Sequence, residues 1–229
     1  MNDQPLGDVT DDDLLPRVAT GDAAAFTALF RRRQADVYRF ALHMTGQPNV
    51  AEDVTQEVFL AVIGDAARYQ PGRSTVAAWL CGMARNHVHR RWERDRGLSG
   101  AVALDDDGLQ VVDAGMGADP LGELTRTERI QMLRRTVLTL PVRYREAVVL
   151  CDLQELTYAD AAAALACAIG TVRSRLHRGR AMLAEKMRAD ERTRNVGLEP
   201  DSVRSVRLQP DPADTPRGRG AKPITRCMT

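Results

Sequence analysis

Apolar side chains recur through most of the chain at intervals of three and four. Phe26, Leu29, Phe30, Val37, Phe40 and Ala41 form one such series, Val54, Val58, Phe59 and Val62 a second, and Val76, Leu80, Met83, Ala84 and Val88 a third. This spacing puts each set on one face of an α-helix and predicts helices whose apolar stripes meet in a core. No run combines strict alternation with hairpin turn signals, so the pattern predicts an all-α protein. It breaks in two places. Residues 97–122 hold Gly97, Gly100, Gly108, Gly115 and Gly117, the run Asp105, Asp106 and Asp107, and Pro120, and read as a flexible acidic linker. From Asp190 onward, Pro200, Pro210, Pro212, Pro216 and Pro223 punctuate a polar stretch, which makes 190–229 a disordered tail. Two helical domains are therefore expected, 10–96 and 123–189, joined by the linker.

The second domain contains a sharper pattern. Thr157 followed three residues later by Asp160 marks a helix start, with the hydroxyl and carboxylate placed to meet free backbone N–H groups. A short Ala-rich helix follows, then a turn around Cys167 to Gly170, after which Thr171 can cap a second helix. On that helix Val172, Leu176, Leu183 and Met187 line up inward. Arg173, Ser174, His177, Arg178, Arg180 and Ala181 are left on the outer faces. A short helix, a tight turn and a basic second helix is the layout of a helix-turn-helix, whose second helix enters the DNA major groove. Arginine there can pair with guanine or hold a phosphate. A solvated basic helix in an ordinary bundle would carry the same charges; the turn and the capped helix before it favour the DNA reading.

Charge changes the picture only when taken by segment. The 229 residues carry 32 Lys+Arg against 31 Asp+Glu, a net charge of +1, which argues against a uniformly basic nucleic-acid coat. Residues 68–100 and 171–188 nevertheless each carry +5, offset by −5 over 1–30 and −6 over 101–128. A chain balanced this way should bind free DNA weakly and present its two basic helices productively only once a larger partner spaces them. The longest apolar stretches, Val58 to Ile63 and Ala161 to Ile169, fall far short of the roughly 18 residues of a membrane span, and the acidic N-terminus lacks the build of a secretion signal. A cytoplasmic protein without membrane insertion is expected. The four cysteines have no CxxC spacing, and three read as small buried apolar residues. His87 and His89 stand at i and i+2, which point to different sides of a helix, so no metal site and no cofactor are expected. No nucleophile motif, Walker loop or dinucleotide fingerprint occurs, and no catalytic activity is expected.

The other basic block, 74–96, is a helix whose C-terminal half is dense in cations. Arg85, Asn86, His89, Arg90 and Trp92 could together offer phosphate contacts, base-edge hydrogen bonds and a flat stacking surface. The alternative is a helix end whose bases complement its dipole, with Trp79 and Trp92 in the core.

Five blocks carry a family resemblance: DDDLLPRVATGDAAAFTALFRRR at 11–33, AEDVTQEVFLAV at 51–62, STVAAWLCGMARNHVHRRWER at 74–94, LTLPVRYREAVVLCDLQELTYADAAAAL at 138–165 and GTVRSRLHRGRAML at 170–183. In these the chain resembles the extracytoplasmic-function (ECF, group 4) RNA polymerase sigma factors of the sigma-70 family. The resemblance implies that the first domain is similar to sigma region 2. Asp53, Gln56, Glu57 and Phe59 would lie on the helix that docks against the clamp coiled coil of the polymerase beta-prime subunit. Acidic and amide groups at i, i+3 and i+4 do share one helical face, which suits an arginine-rich partner. Arg85, Asn86, His89 and Arg90, with the loop from Tyr69 to Ser74, would recognise and help open the minus-10 promoter element. Opening requires extruded bases to be held by pocket contacts. The second domain resembles region 4, in which Thr171, Arg173, Ser174, His177, Arg178 and Arg180 would read the minus-35 element. The implied partners are core RNA polymerase through its beta-prime clamp and beta flap, promoter DNA and an anti-sigma factor. The linker would thread through polymerase channels.

Two departures stand out. The family turn usually has Gly and Pro where this chain has Ala166 and Ala168, and Ile where it has Ala162, which predicts a less stable turn. A stand-alone helix-turn-helix regulator that binds an operator without polymerase would account for 157–187. It leaves the 51–62 block and the second basic helix unexplained.

Overall fold

The computed structural model describes residues 9–99 and 126–196, and among these every regular element is helical. In chain order they are α1 (Asp11–Ala19), α2 (Ala23–Thr45), α3 (Pro48–Asp65) with a short 3-10 turn after it (Ala66–Arg68), α4 (Val76–Ser99), α5 (Arg126–Leu138), α6 (Val142–Val148) widening into a π-helical turn (Val149–Leu153), α7 (Tyr158–Ala164) and α8 (Ile169–Val196). The linker expected at 97–122 lies outside the described residues from 100 onward, and the expected tail lies outside them from 197 onward. α4 continues to Ser99 and α8 to Val196, past the points where the sequence pattern lapses.

Local chemistry sets the first three helices. Thr10 and Asp13 form a reciprocal capping box at the start of α1. Asp22 caps α2 by accepting from the backbone N–H of Ala24 at 2.9 Å and Ala25 at 3.0 Å, and those bonds with Arg17 hold its carboxyl below the ordinary carboxylate range. Gly46 ends α2 with φ +71°, the left-handed conformation that lets the chain reverse into α3. Pro48 occupies the first turn of α3, where its missing N–H is not needed.

The predicted apolar stripes meet as expected. Leu29, Val37, Phe40, Ala41, Val54, Val58, Phe59, Val62, Val76, Leu80, Ala84 and Val88 are all buried. Phe30 and Phe59 pack edge to face at 4.9 Å, with Phe26 beside both. Of the cysteines in the described residues, Cys81 is buried, and burial pushes its thiol up to about 12; Cys151 and Cys167 are only half-buried.

The tether pattern does not show that the two helical units also pack on one another. Val137, Val149, Leu150, Ala161, Ala162, Leu165 and Val172 join the first unit's apolar residues in one continuous core. Two glycines stand at the join. A Cβ on Gly46 would meet Leu138 Cδ1 at 2.8 Å, and one on Gly82 of α4 would meet backbone atoms of Ala164 of α7 at 3.4–3.5 Å. Arg145 spans the join: it is 1% exposed and donates to the carbonyl of Met44 at 2.6 Å, to that of Leu140 at 3.0 Å and to that of Leu138. These are carbonyls near the ends of α2 and α5, which the helices themselves leave without donors. Burial lowers the Arg145 pKa to about 10.

Candidate nucleic-acid interface

The helix-turn-helix forms where the sequence places it. Thr157 caps α7, its hydroxyl accepting from the Asp160 N–H at 3.1 Å. The turn runs through Ala166, a non-glycine residue at φ +50°, so the position where the family usually has glycine does require the left-handed region and alanine fills it under strain. Thr171 does not cap α8. The helix begins at Ile169, and the Ala168 carbonyl accepts from Thr171 and Val172, which places Thr171 inside the first turn, half-buried. The buried side of α8 carries Val172 and Leu176, with Leu183 partly covered. Arg173, Ser174, His177, Arg178 and Arg180 are exposed. They are not equally free. Arg180 makes a two-point ion pair with Asp152, at 3.0 and 2.5 Å, Arg173 lies over the Tyr158 ring at 5.6 Å, and Arg178 is near enough to the Tyr144 phenol to hold its pKa below the ordinary value.

Gly179 is a residue that sequence reasoning missed. It is buried where α8 crosses α6, and a Cβ there would lie 2.8 Å from Val148 Cγ2 and 3.2 Å from the Tyr144 carbonyl. A glycine in the middle of an otherwise strong helix was the available signal, because that residue is costly there unless packing demands it.

On α4 the four residues assigned to one reading surface divide between two stripes. Asn86 and Arg90 are exposed, and Arg90 lines a shallow cleft against α3 with Glu57, His87, Glu93 and Arg94. Arg85 and His89 face the second unit: Arg85 Nε and His89 Nε2 each lie 2.6 Å from Glu146 Oε1. Glu146 is 2% exposed. Burial pushes its carboxyl up, but the His89 hydrogen bond and the Arg85 charge outweigh that and hold it below the ordinary value. At the start of α4, Thr75 donates its N–H and hydroxyl to Asp160 Oδ1 at 2.9 and 3.0 Å while its own hydroxyl caps Ala78. The loop before it is held by the Tyr69 hydroxyl, 2.5 Å from Asp12 Oδ1 and 2.8 Å from the Ser74 carbonyl. Trp92 is half-buried against the core and packs edge to face with His89 at 5.4 Å.

On α3, Asp53 and Gln56 are exposed and Glu57 is half-buried. Asp53 pairs with Arg91 at 2.9 Å and Glu57 with His87 at 2.8 Å. Phe59 is 3% exposed in the aromatic cluster and cannot itself form a docking surface; it anchors the helix instead. The outward apolar residues are Leu60 and Ile63, 69% and 55% exposed, one and two turns beyond Gln56. His87 and His89 reach opposite neighbours, and the described residues hold no cluster of three potential metal ligands. No helix among them is long and apolar enough to cross a membrane.

A helical bundle with a basic helix at its edge, followed by a helix-turn-helix, is the layout of a DNA-binding transcription protein. The sigma-70 region 2 model matches residues 29–97 and the sigma-70 region 4 model matches 130–183. The chain is 36% identical over 189 residues to the ECF RNA polymerase sigma factor SigE of Mycolicibacterium smegmatis, covering 80% of this chain and 68% of SigE. It is 33% identical to SigC of Mycobacterium tuberculosis, over 76% of this chain and 90% of SigC. It is also similar to the solved structure of the sigma factor RpoE in complex with the anti-sigma factor NepR from Bartonella quintana, with a TM-score of 0.54, 26% identity, and 72% and 98% of the two chains covered. The chain belongs to the ECF RNA polymerase sigma factors of the sigma-70 family.

Proposed function

We propose that this sigma factor divides its work between the two helical units, acting by binding and not by catalysis, in the cytoplasm where its polymerase works. Residues 10–96 dock on the beta-prime clamp and engage the minus-10 element; residues 123–189 meet the beta flap and read the minus-35 element. The observation that carries this reading is the outer face of α8, where Arg173, Ser174, His177 and Arg178 stand exposed on the second helix of a helix-turn-helix. Arg180, committed to Asp152, and Thr171, half-buried at the helix start, contribute by position. On α3 the docking surface consists of Asp53, Gln56 and Glu57 extended by Leu60 and Ile63, a polar and apolar mixture of the kind that supplies a desolvated centre with a charged rim. Arg85, Asn86, His89 and Arg90 serve the minus-10 element. An anti-sigma factor is a further partner of this sigma factor, a reading supported by the similarity to RpoE in its NepR complex.

Core RNA polymerase supplemented with the full chain, with transcripts initiated on genomic DNA sequenced at their 5′ ends, tests the assignment. The expected result is a shared pair of upstream elements about two helical turns apart. Transcripts that gain no common upstream element on addition of the chain would refute it. Leu60→Asp should weaken core binding while leaving the fold intact, because the side chain it replaces is exposed.

A further inference from the structure

We infer that Tyr158 is a positioning residue for minus-35 recognition: its ring carries the Arg173 guanidinium and orients it toward a base pair of that element. This rests on the minus-35 reading of α8 proposed above and deepens it by naming what aims one of its cations. Arg173 Cζ lies over the Tyr158 ring, 5.6 Å from the ring centroid. Tyr158 is 40% exposed, so core packing alone does not account for an aromatic side chain there. The α7 cap sets its backbone. Thr157 accepts from the Asp160 N–H at 3.1 Å and donates to Asp160 Oδ2 at 2.7 Å, which makes Tyr158 the first residue of the helix. On α8, Val172 next to Arg173 is fully buried in the same core as Ala161 of α7. Ring and cation are thus each anchored by the turn of helix on which they stand.

The kind of contact matters as much as its place. An aromatic face attracts a guanidinium through the ring quadrupole, without setting an anion against the N–H donors. Held this way, Arg173 keeps its charge and its two-pronged fork for a guanine edge. Arg180, two turns further along α8, shows the opposite arrangement: Asp152 engages it at 3.0 and 2.5 Å and offsets its charge. The ring orients without neutralising, whereas the carboxylate does both. A long side chain also loses rotamer freedom when it meets a base, and a ring that restricts it beforehand removes part of that loss.

The test uses the full chain assembled with core RNA polymerase, on a promoter taken from the transcripts it initiates. Every single-base-pair substitution across the minus-35 element is transcribed beside the unaltered promoter, and the yield ratio of matched to substituted template is read at each position. Arg173→Ala marks the position that Arg173 reads, as the one where this ratio collapses. Tyr158→Leu is expected to lower the ratio at that same position by about 2- to 5-fold, the worth of an exposed cation–π contact, and to leave the other positions unchanged. Tyr158→Phe keeps the ring and should keep the ratio. In the Arg173→Ala background, Tyr158→Leu should do nothing more. Circular dichroism and urea midpoints verify that the variants fold, and Tyr158→Met supplies the same comparison in place of a Leu variant that folds poorly.

If Tyr158→Leu leaves the ratio unchanged where Arg173→Ala lowers it, the positioning role is overturned and the minus-35 reading stands. A Phe variant that loses as much as the Leu variant would show that the phenol hydroxyl contacts the promoter itself, which also overturns positioning through Arg173. So would a Leu effect spread evenly over all positions, or one that persists in full in the Arg173→Ala background. An Arg173→Ala variant that lowers the ratio nowhere refutes the minus-35 reading of Arg173, and the role of Tyr158 falls with it.

Discussion

The helices α4 and α8 belong to segments of equal charge, +5 each, and meet opposite fates. α8 turns its cations outward and steadies them with neighbours inside its own unit: Asp152 for Arg180, Tyr158 for Arg173, Tyr144 for Arg178. α4 splits its polar side chains, sending Asn86 and Arg90 to solvent and Arg85 and His89 into a contact with the other unit. The difference teaches that a basic helix is not by that fact a free one. Whether a cation is available depends on which carboxylates the tertiary fold brings within about 4 Å, and that is invisible in a segment sum.

The contrast can be broken most severely at Arg145, which supports the join beneath α4. Arg145→Ala would leave the carbonyls of Met44, Leu138 and Leu140 without this donor, and a loss of about 3–5 kcal/mol in urea unfolding is expected. Gly179→Val strikes the α8 side alone. Its new methyl groups collide with Val148 and with the Tyr144 backbone, costing about 1–3 kcal/mol, with tryptophan fluorescence from region 2 reporting whether that unit survives. Arg178→Ala or Arg173→Ala should reduce discrimination at the minus-35 element by about 1–3 kcal/mol if the side chain reads a base, measured as relative transcript yield from matched and mismatched promoters. Arg180→Ala should change it less, since that side chain is already spent on Asp152. Ala166→Gly relieves the φ of +50° and should raise the stability of the helix-turn-helix by about 1 kcal/mol, seen as a higher urea midpoint.

The smallest effect near neutral pH is that of acid on the covered side. Glu146 faces Arg85, His89 and Arg145, and its pKa lies below the ordinary 4.5; that of Asp160 lies below 3.8. A lowered folded-state value means that the carboxylate's contribution is fully present above the unfolded value and is lost as pH falls through the folded one. The contact that Glu146 and Asp160 make with α4 should therefore resist mild acid and weaken only as pH falls below the ordinary carboxylate range, detectable as expansion in scattering before helix content falls.

Much of this was legible in the sequence because helical periodicity and capping are local. Thr157 with Asp160, the inward Val172 and Leu176, and the core from Leu29 to Val88 could be placed from spacing alone, whereas the turn residue Ala166 stood out only against the family's usual glycine. Phe59 was misplaced for a reason of the same kind. A motif position says which helix a residue is on, whereas its neighbour Leu60, 100° around the helix, is the one that faces out. Thr171 was assigned a cap because it is a good one, but backbone geometry starts α8 two residues earlier.

By itself the sequence determined the helices, their order, the two basic blocks and the family, since each depends on residues within a few turns of one another or on a motif. Only the tertiary structure decided that Glu146 lies on Arg85 and His89, that Arg145 joins the ends of α2 and α5, and that Gly46 and Gly179 are points of close packing. Those contacts join residues separated by tens of positions in the chain. A hydrogen bond or a steric fit is decided at the ångström scale, where no periodicity along the chain carries information.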